Sequence, residues 1–294
     1  LNISLDGILE TVRQAVLNGS SASLAFYGTV LLPQIVVCLA LLFTGRYMNN
    51  RLWSSFDWRG VIFLAWLGTP VHEISHLIGC IIGRNKIEEF ALFKPDRASG
   101  SLGYVSHSYD QSSFYQRVFG NTLVALAPFF GGAVAIYYLT YLAYPQLLSD
   151  LGSAPALKWQ TFTSFAALGE FATGWKSTAI HFYRLFSDPE NLRNGWFWVY
   201  LWGMISLGAH LSPSRSDFEG FWGAALLLLC VPFIVMVSLA FFGNRGEELL
   251  SYVSVLATQV NMLLLLALLF TLLGALFVTI LTFLAEALKK VLYS

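Results

Sequence analysis

From Leu249 to Ala285 the chain carries no Asp, Glu, Lys or Arg. A stretch of that kind cannot form the wetted surface of a soluble domain. At about 1.5 Å per residue it also outruns the roughly 30 Å hydrocarbon layer of a bilayer. Gln259 and Asn261 are its polar interruptions, so an interfacial break is expected there, with the crossing from about Met262 to Ala285. Further apolar runs cover Leu24 to Phe43, Val61 to Gly83, Val118 to Tyr144, Trp196 to Leu211 and Phe218 to Phe242. Only 12% of the residues are charged, about half the roughly 25% of ordinary soluble domains. The expectation is an all-α polytopic membrane protein, integral and multi-pass, with about six transmembrane helices.

Between these runs lie two long connections. In Arg84 to Arg117, the stretches Ile87 to Phe93 and Ser101 to His107 alternate apolar and polar residues around Lys94 to Gly100, which predicts a small β-hairpin-like element. The connection Pro145 to Gly195 holds aromatic-rich segments, Trp159 to Phe171 and Trp175 to Phe186, expected as interfacial or re-entrant helices within residues 158–187. At the other end, Leu5, Ile8, Leu9, Val12 and Val16 recur at helical spacing among Asp6, Glu10 and Arg13. Residues 1–23 therefore read as an amphipathic segment on the membrane surface rather than a signal peptide, and 24–294 as a single membrane-embedded domain. Lys and Arg fall almost evenly on the two sides, so the positive-inside rule sets no orientation. The net charge of zero excludes a nucleic-acid footprint. Cys38, Cys80 and Cys230 sit in apolar runs as small buried residues, against a disulfide framework or a cysteine-rich zinc site.

Inside the run Val61 to Gly83, residues His72-Glu73-Ile74-Ser75-His76 spell H-E-x-x-H. On a helix, positions i and i+4 share a face, so both imidazoles can bind one metal ion, and Glu73 stands where such motifs place a general base. Three ionisable side chains inside an apolar span are expensive, which makes them a candidate functional site. A catalytic zinc ion needs a third protein ligand and one open position. The segment His210-Leu211-Ser212-Pro213-Ser214-Arg215-Ser216-Asp217 interrupts two apolar runs and offers Asp217, with His210 as the rival ligand. Ser216-Asp217 also fits a plain helix N-cap, and His210 also fits a side chain packed among aromatic residues near Trp202. Gly79 and Gly83 allow close helix packing. His107 and His181 read as solvated rather than as ligands, and Glu170 as relevant only in a re-entrant segment.

The combination of the motif span, the hairpin-like connection and the Pro213…Asp217 break resembles the site-2 protease family of intramembrane zinc metalloproteases. His72, Glu73 and His76 match the family's first motif. His210-Leu211-Ser212-Pro213…Asp217 matches its second in outline, with His210 where the family commonly has Asn. Ala127-Pro128-Phe129-Phe130-Gly131-Gly132 is similar to its Pro/Gly-bearing core helix. The resemblance covers residues 61–242, the metalloprotease-like core. It implies Zn2+ held by His72, His76 and Asp217, with Glu73 and His210 in catalytic roles, His210 donating a hydrogen bond to the substrate or oxyanion. The implied activity is hydrolysis of peptide bonds in or near transmembrane segments of a membrane-protein substrate within the lipid bilayer. A helix hides its amides, so the substrate would be held extended, with a strand of the hairpin as the candidate holder. Two other readings stay open on the residues alone: a catalytically silent membrane metal-binding or scaffold protein, and a metal transporter, which the apolar character of the last stretch disfavours.

Overall fold

The structure, a computed structural model, describes residues 5–153, 164–174, 176–211, 221–241 and 245–293. The described residues are mostly helical, with one two-stranded sheet. Helix α1 (Leu5–Phe26) passes through a π-helical turn (Tyr27–Leu31) into α2 (Leu32–Gly83). After the strands β1 (Lys86–Ala91) and β2 (Tyr104–Ser108), a second π-helical turn (Tyr115–Gly120) opens α3 (Asn121–Ala143). Short helices follow: α4 (Pro145–Ser153), α5 (Phe165–Gly174), α6 (Lys176–Ser187) and α7 (Pro189–Arg193). The chain ends with α8 (Gly195–His210), α9 (Phe221–Ala240) and α10 (Arg245–Tyr293).

Among the described residues, three helical stretches are long and apolar enough to cross a membrane: Asp6–Gly83, Tyr115–Ala143 and Ser251–Leu288. That is fewer than the six expected, for identifiable reasons. The first two expected spans share one helical run, divided where Asp57 leaves helical geometry at φ 57°, ψ −160°. Helix α8, the expected fourth span, has 16 residues and reaches only about 24 Å. Ala225–Ala240, in the expected fifth, is a shorter apolar helix. The interfacial break expected at Gln259 and Asn261 is absent: α10 runs through both without interruption. Asn261 is buried, beside the core residues Met262 and Leu264, so its amide faces protein rather than a membrane surface.

Helix α2 is the hub, packing against α3, α8 and α10, while α1 packs against α9. The α1–α9 contact is close: a Cβ on Gly19 would lie 2.4 Å from Val237 Cα. The segment expected as an amphipathic surface helix is thus part of α1, with Ala15 and Ser23 buried while Ile8, Leu9 and Val12 face outward. The main core gathers Val37 and Leu41 of α2, Ile136 of α3, Phe197, Tyr200 and Met204 of α8, and Leu264, Ala267 and Phe270 of α10. Helix α8 buries one face and most of its C-terminal half in this core, while Trp196, Trp198 and Val199 of its first turns are exposed.

The hairpin-like expectation holds. β1 pairs antiparallel with β2 from Lys86↔Ser108 to Ala91↔Tyr104, with a bulge between Ile87 and Glu89. The connection continues as a hairpin arm, with Lys94 N–H donating to Leu102 O and Asp96 N–H to Ser101 O. Gly100 turns its tip at φ +73°, a conformation glycine adopts without a Cβ clash. The Asp96 carboxylate accepts from the Ser99 hydroxyl and the Ala98 and Ser99 N–H groups. These bonds, the Ser99 hydroxyl foremost, hold its carboxyl below the usual range.

Of the segments expected as interfacial or re-entrant, α5 and α6 are described, at 10 and 12 residues, too short to cross a bilayer. Trp159 and Trp175 lie outside the described residues. His181 of α6 is partly exposed and its Nδ1 lies against the Asp150 carboxylate of α4. Glu170 on α5 is exposed.

Candidate functional site

The motif sits in the second half of α2, two residues past Pro70. A proline inside a helix lacks its N–H and crowds the preceding turn. Here α8 fills the disturbed turn. The Ser206 hydroxyl donates to Leu64 O at 2.5 Å and accepts from Gly68 N–H at 2.9 Å, so it stands between two groups that a regular helix joins directly. The Trp202 indole N–H takes Phe63 O at 3.2 Å. Gly68 lets α8 approach, because a Cβ there would lie 2.3 Å from Ser206 O and 2.7 Å from His210 Nδ1. Side chains inserted into a helix ladder are a recognised cause of kinks, and this one fixes α8 beside the motif.

That contact sets the orientation of His72. Its Nδ1 lies 2.8 Å from His210 O. One turn later, His76 Nδ1 lies 3.0 Å from Val124 O on α3. A carbonyl oxygen only accepts, so both Nδ1 atoms carry the proton, a tautomer assigned from the partners. The two Nε2 atoms lie 3.1 Å apart, with the rings edge to face at 4.7 Å between centroids. Two acceptors at that separation repel unless a proton or a cation lies between them. Metal-binding histidines share this pattern, one ring nitrogen tied to a carbonyl and the other left for the metal. His72 and His76 thus present two nitrogen donors of the kind zinc takes, one fewer than the three protein ligands of a catalytic site.

Glu73 is buried at 7% exposure. The hairpin lies over it: a Cβ on Gly103 would fall 2.9 Å from Glu73 Cγ. Behind the motif, Gly131 of α3 leaves room for Ser75, whose Oγ would lie 2.0 Å from an added Cβ. Gly79 does the same against Val124 and Ala127, and Gly83 against Gly120, so the expected close packing at Gly79 and Gly83 is made to α3 and to the π-helical turn that opens it.

The structure brings together His72, Glu73, His76 and the C-terminal end of α8. Among the described residues, no group of three His, Cys, Asp or Glu side chains is placed to hold a metal ion. Asp217, with the whole segment 212–220, lies outside the described residues. His210 ends α8, beside the motif. Its Nδ1 donates to Ser206 O at 2.9 Å, which leaves Nε2 as an acceptor, buried and without a hydrogen-bond partner among the described residues. In the neutral ring, that nitrogen cannot donate to an oxyanion. Its backbone carbonyl, by contrast, orients His72 directly. Sequence reasoning missed Gly68, Ser206 and Gly103. Gly68-Thr69-Pro70, a glycine and a proline one turn before the motif, is the signal that marks the first of them.

No protein-family model matches the chain, and neither does any curated protein or solved structure.

Proposed function

We propose that the chain is a zinc-dependent intramembrane endopeptidase, similar to the site-2 protease family, that hydrolyses peptide bonds in or near transmembrane segments of other membrane proteins. The observation that carries this reading is the convergence of His72 and His76 Nε2 at 3.1 Å, each ring pinned through Nδ1 to a backbone carbonyl, beside a buried glutamate. The apolar helices support a membrane location. His72 and His76 would hold the zinc ion, and Asp217 is the third ligand this reading assigns. When bound, zinc supplies a Lewis acid that polarises the scissile carbonyl and acidifies water. Glu73 accepts the proton of the attacking water and delivers it to the leaving amine. Its burial under the hairpin shields the carboxylate from bulk water. In this reading the hairpin over Glu73 would hold an unwound substrate segment by strand addition.

The experiment is cleavage of a membrane-protein substrate by the purified chain in liposomes. Cleavage that stops on removing zinc with a chelator and returns on adding zinc supports the reading. A zinc-loaded protein that cleaves no member of a panel of single-span substrates favours the silent metal-binding alternative.

A further inference from the structure

The stretch 44–60 separates the two apolar parts of Asp6–Gly83 and carries Arg46, Arg51, Arg59 and a single acidic residue, Asp57. Where α2 breaks at Asp57, an open cavity of about 710 Å3 forms, lined by Trp53, Phe56, Asp57, Trp58, Arg59 and, from the hairpin tip, Arg97. That volume suits a small ligand or a headgroup. Two guanidinium groups against one carboxylate give the lining a net positive charge. Arg97 donates to Asp57 Oδ1 at 2.8 Å, with both side chains more than half exposed. A pair so exposed is weakly held, and a guanidinium is better matched by the oxygens of a phosphate.

The backbone adds a second observation. Asp57 sits at φ 57°, ψ −160°, a region left almost wholly to glycine, and strain of this kind clusters at ligand clamps and switches. Trp53 and Trp58 meet edge to face at 5.3 Å. Trp58 rests against the packed group of Met48, Leu52, Val61 and Leu64, whereas Trp53 is exposed. The Ser54 and Ser55 hydroxyls are directed to Arg51 O and Glu286, and the guanidinium groups of Arg59 and Arg97 are the charged donors of the lining. Arg and Trp together, between two apolar stretches, are the composition of the headgroup layer.

We propose that this cavity binds the phosphate of an anionic phospholipid headgroup. The site depends on the membrane location argued above and not on zinc or on proteolysis, so its test is separate from theirs. The full-length protein in detergent is titrated with dihexanoyl phosphatidylglycerol, and bound lipid is counted by native mass spectrometry. Dihexanoyl phosphatidylcholine and free glycerol 3-phosphate are run alongside. Phosphatidylglycerol binds more tightly than either, and Arg59→Gln with Arg97→Gln weakens it about 100-fold, the loss of two charge-assisted contacts at about tenfold each. Asp57→Asn moves the other way, tightening binding by removing the competing carboxylate, a gain that misfolding cannot imitate. Equal affinity for phosphatidylcholine, or no change in either variant, overturns the site. Free glycerol 3-phosphate binding as tightly as the lipid overturns the assignment to a lipid. Release of the protein from membranes by alkaline carbonate overturns the membrane location itself.

Discussion

Replacing Gly68 with alanine tests how α8 holds the motif helix. The new Cβ would lie 2.3 Å from Ser206 O, 2.7 Å from His210 Nδ1 and 2.9 Å from His210 Cβ. The first of these is a backbone atom and cannot rotate away, so α8 must retreat by about 1 Å to reach ordinary contact. Overpacking of this kind costs about 1–3 kcal/mol, offset by about 1 kcal/mol from the higher helix propensity of alanine. The same retreat stretches the 2.8 Å bond between His72 Nδ1 and His210 O beyond hydrogen-bonding range, which removes about 1 kcal/mol more. The net loss is about 2 kcal/mol, read as a lower unfolding temperature in detergent. Zinc affinity, measured by competition with a chelator, falls about 10- to 100-fold, the usual effect of losing a partner that orients a ligand. Gly169→Ala is the control, since nothing lies within 4 Å of the added Cβ; it stabilises by up to about 1 kcal/mol and leaves zinc binding alone. A Gly68→Ala protein with wild-type stability and zinc affinity refutes the idea that α8 clamps His72 through this contact.

Two further outcomes follow from other parts of the molecule. Asn261 is buried with its Oδ1 lacking a hydrogen-bond partner among the described residues, so Asn261→Leu leaves the unfolding temperature unchanged or raises it; a marked fall would show that the amide is paired. At the hairpin tip, the folded Asp96 carboxyl lies below its unfolded value because of the Ser99 hydroxyl and the Ala98 N–H. The stability it contributes is therefore complete above the usual carboxylate range near pH 4 and is lost as pH falls through the lower folded value. Proteolysis of the tip accordingly accelerates in acid for the wild type, and Asp96→Ala is cut faster at neutral pH with less acid dependence.

The hairpin and the helix-borne motif were legible in the sequence because both rest on local signals: alternation around Lys94 to Gly100, and an i, i+4 pair of histidines. Counting spans was harder. Apolar runs report solubility but not where a helix ends, and the polar stretch 44–60 reads as a loop although helix continues to the break at Asp57. Asn261 looked like an interface residue because burial against another helix leaves no mark on the sequence near it. The groups that orient the histidines were also out of reach: His210 O and Val124 O are backbone atoms, and any residue type supplies a carbonyl. Ser206 was hidden for a related reason, since its function is to fill a gap in α2 made by Pro70, far away in the chain.

The most direct measurement is cleavage of a membrane-protein substrate by Glu73→Gln, compared with wild type at equal, measured zinc content. Glutamine keeps the shape of the side chain and removes its capacity to accept a proton. The account predicts that Glu73→Gln retains zinc at His72 and His76 and loses cleavage by a factor of about 100 or more. Cleavage at the wild-type rate by the zinc-loaded variant would contradict it.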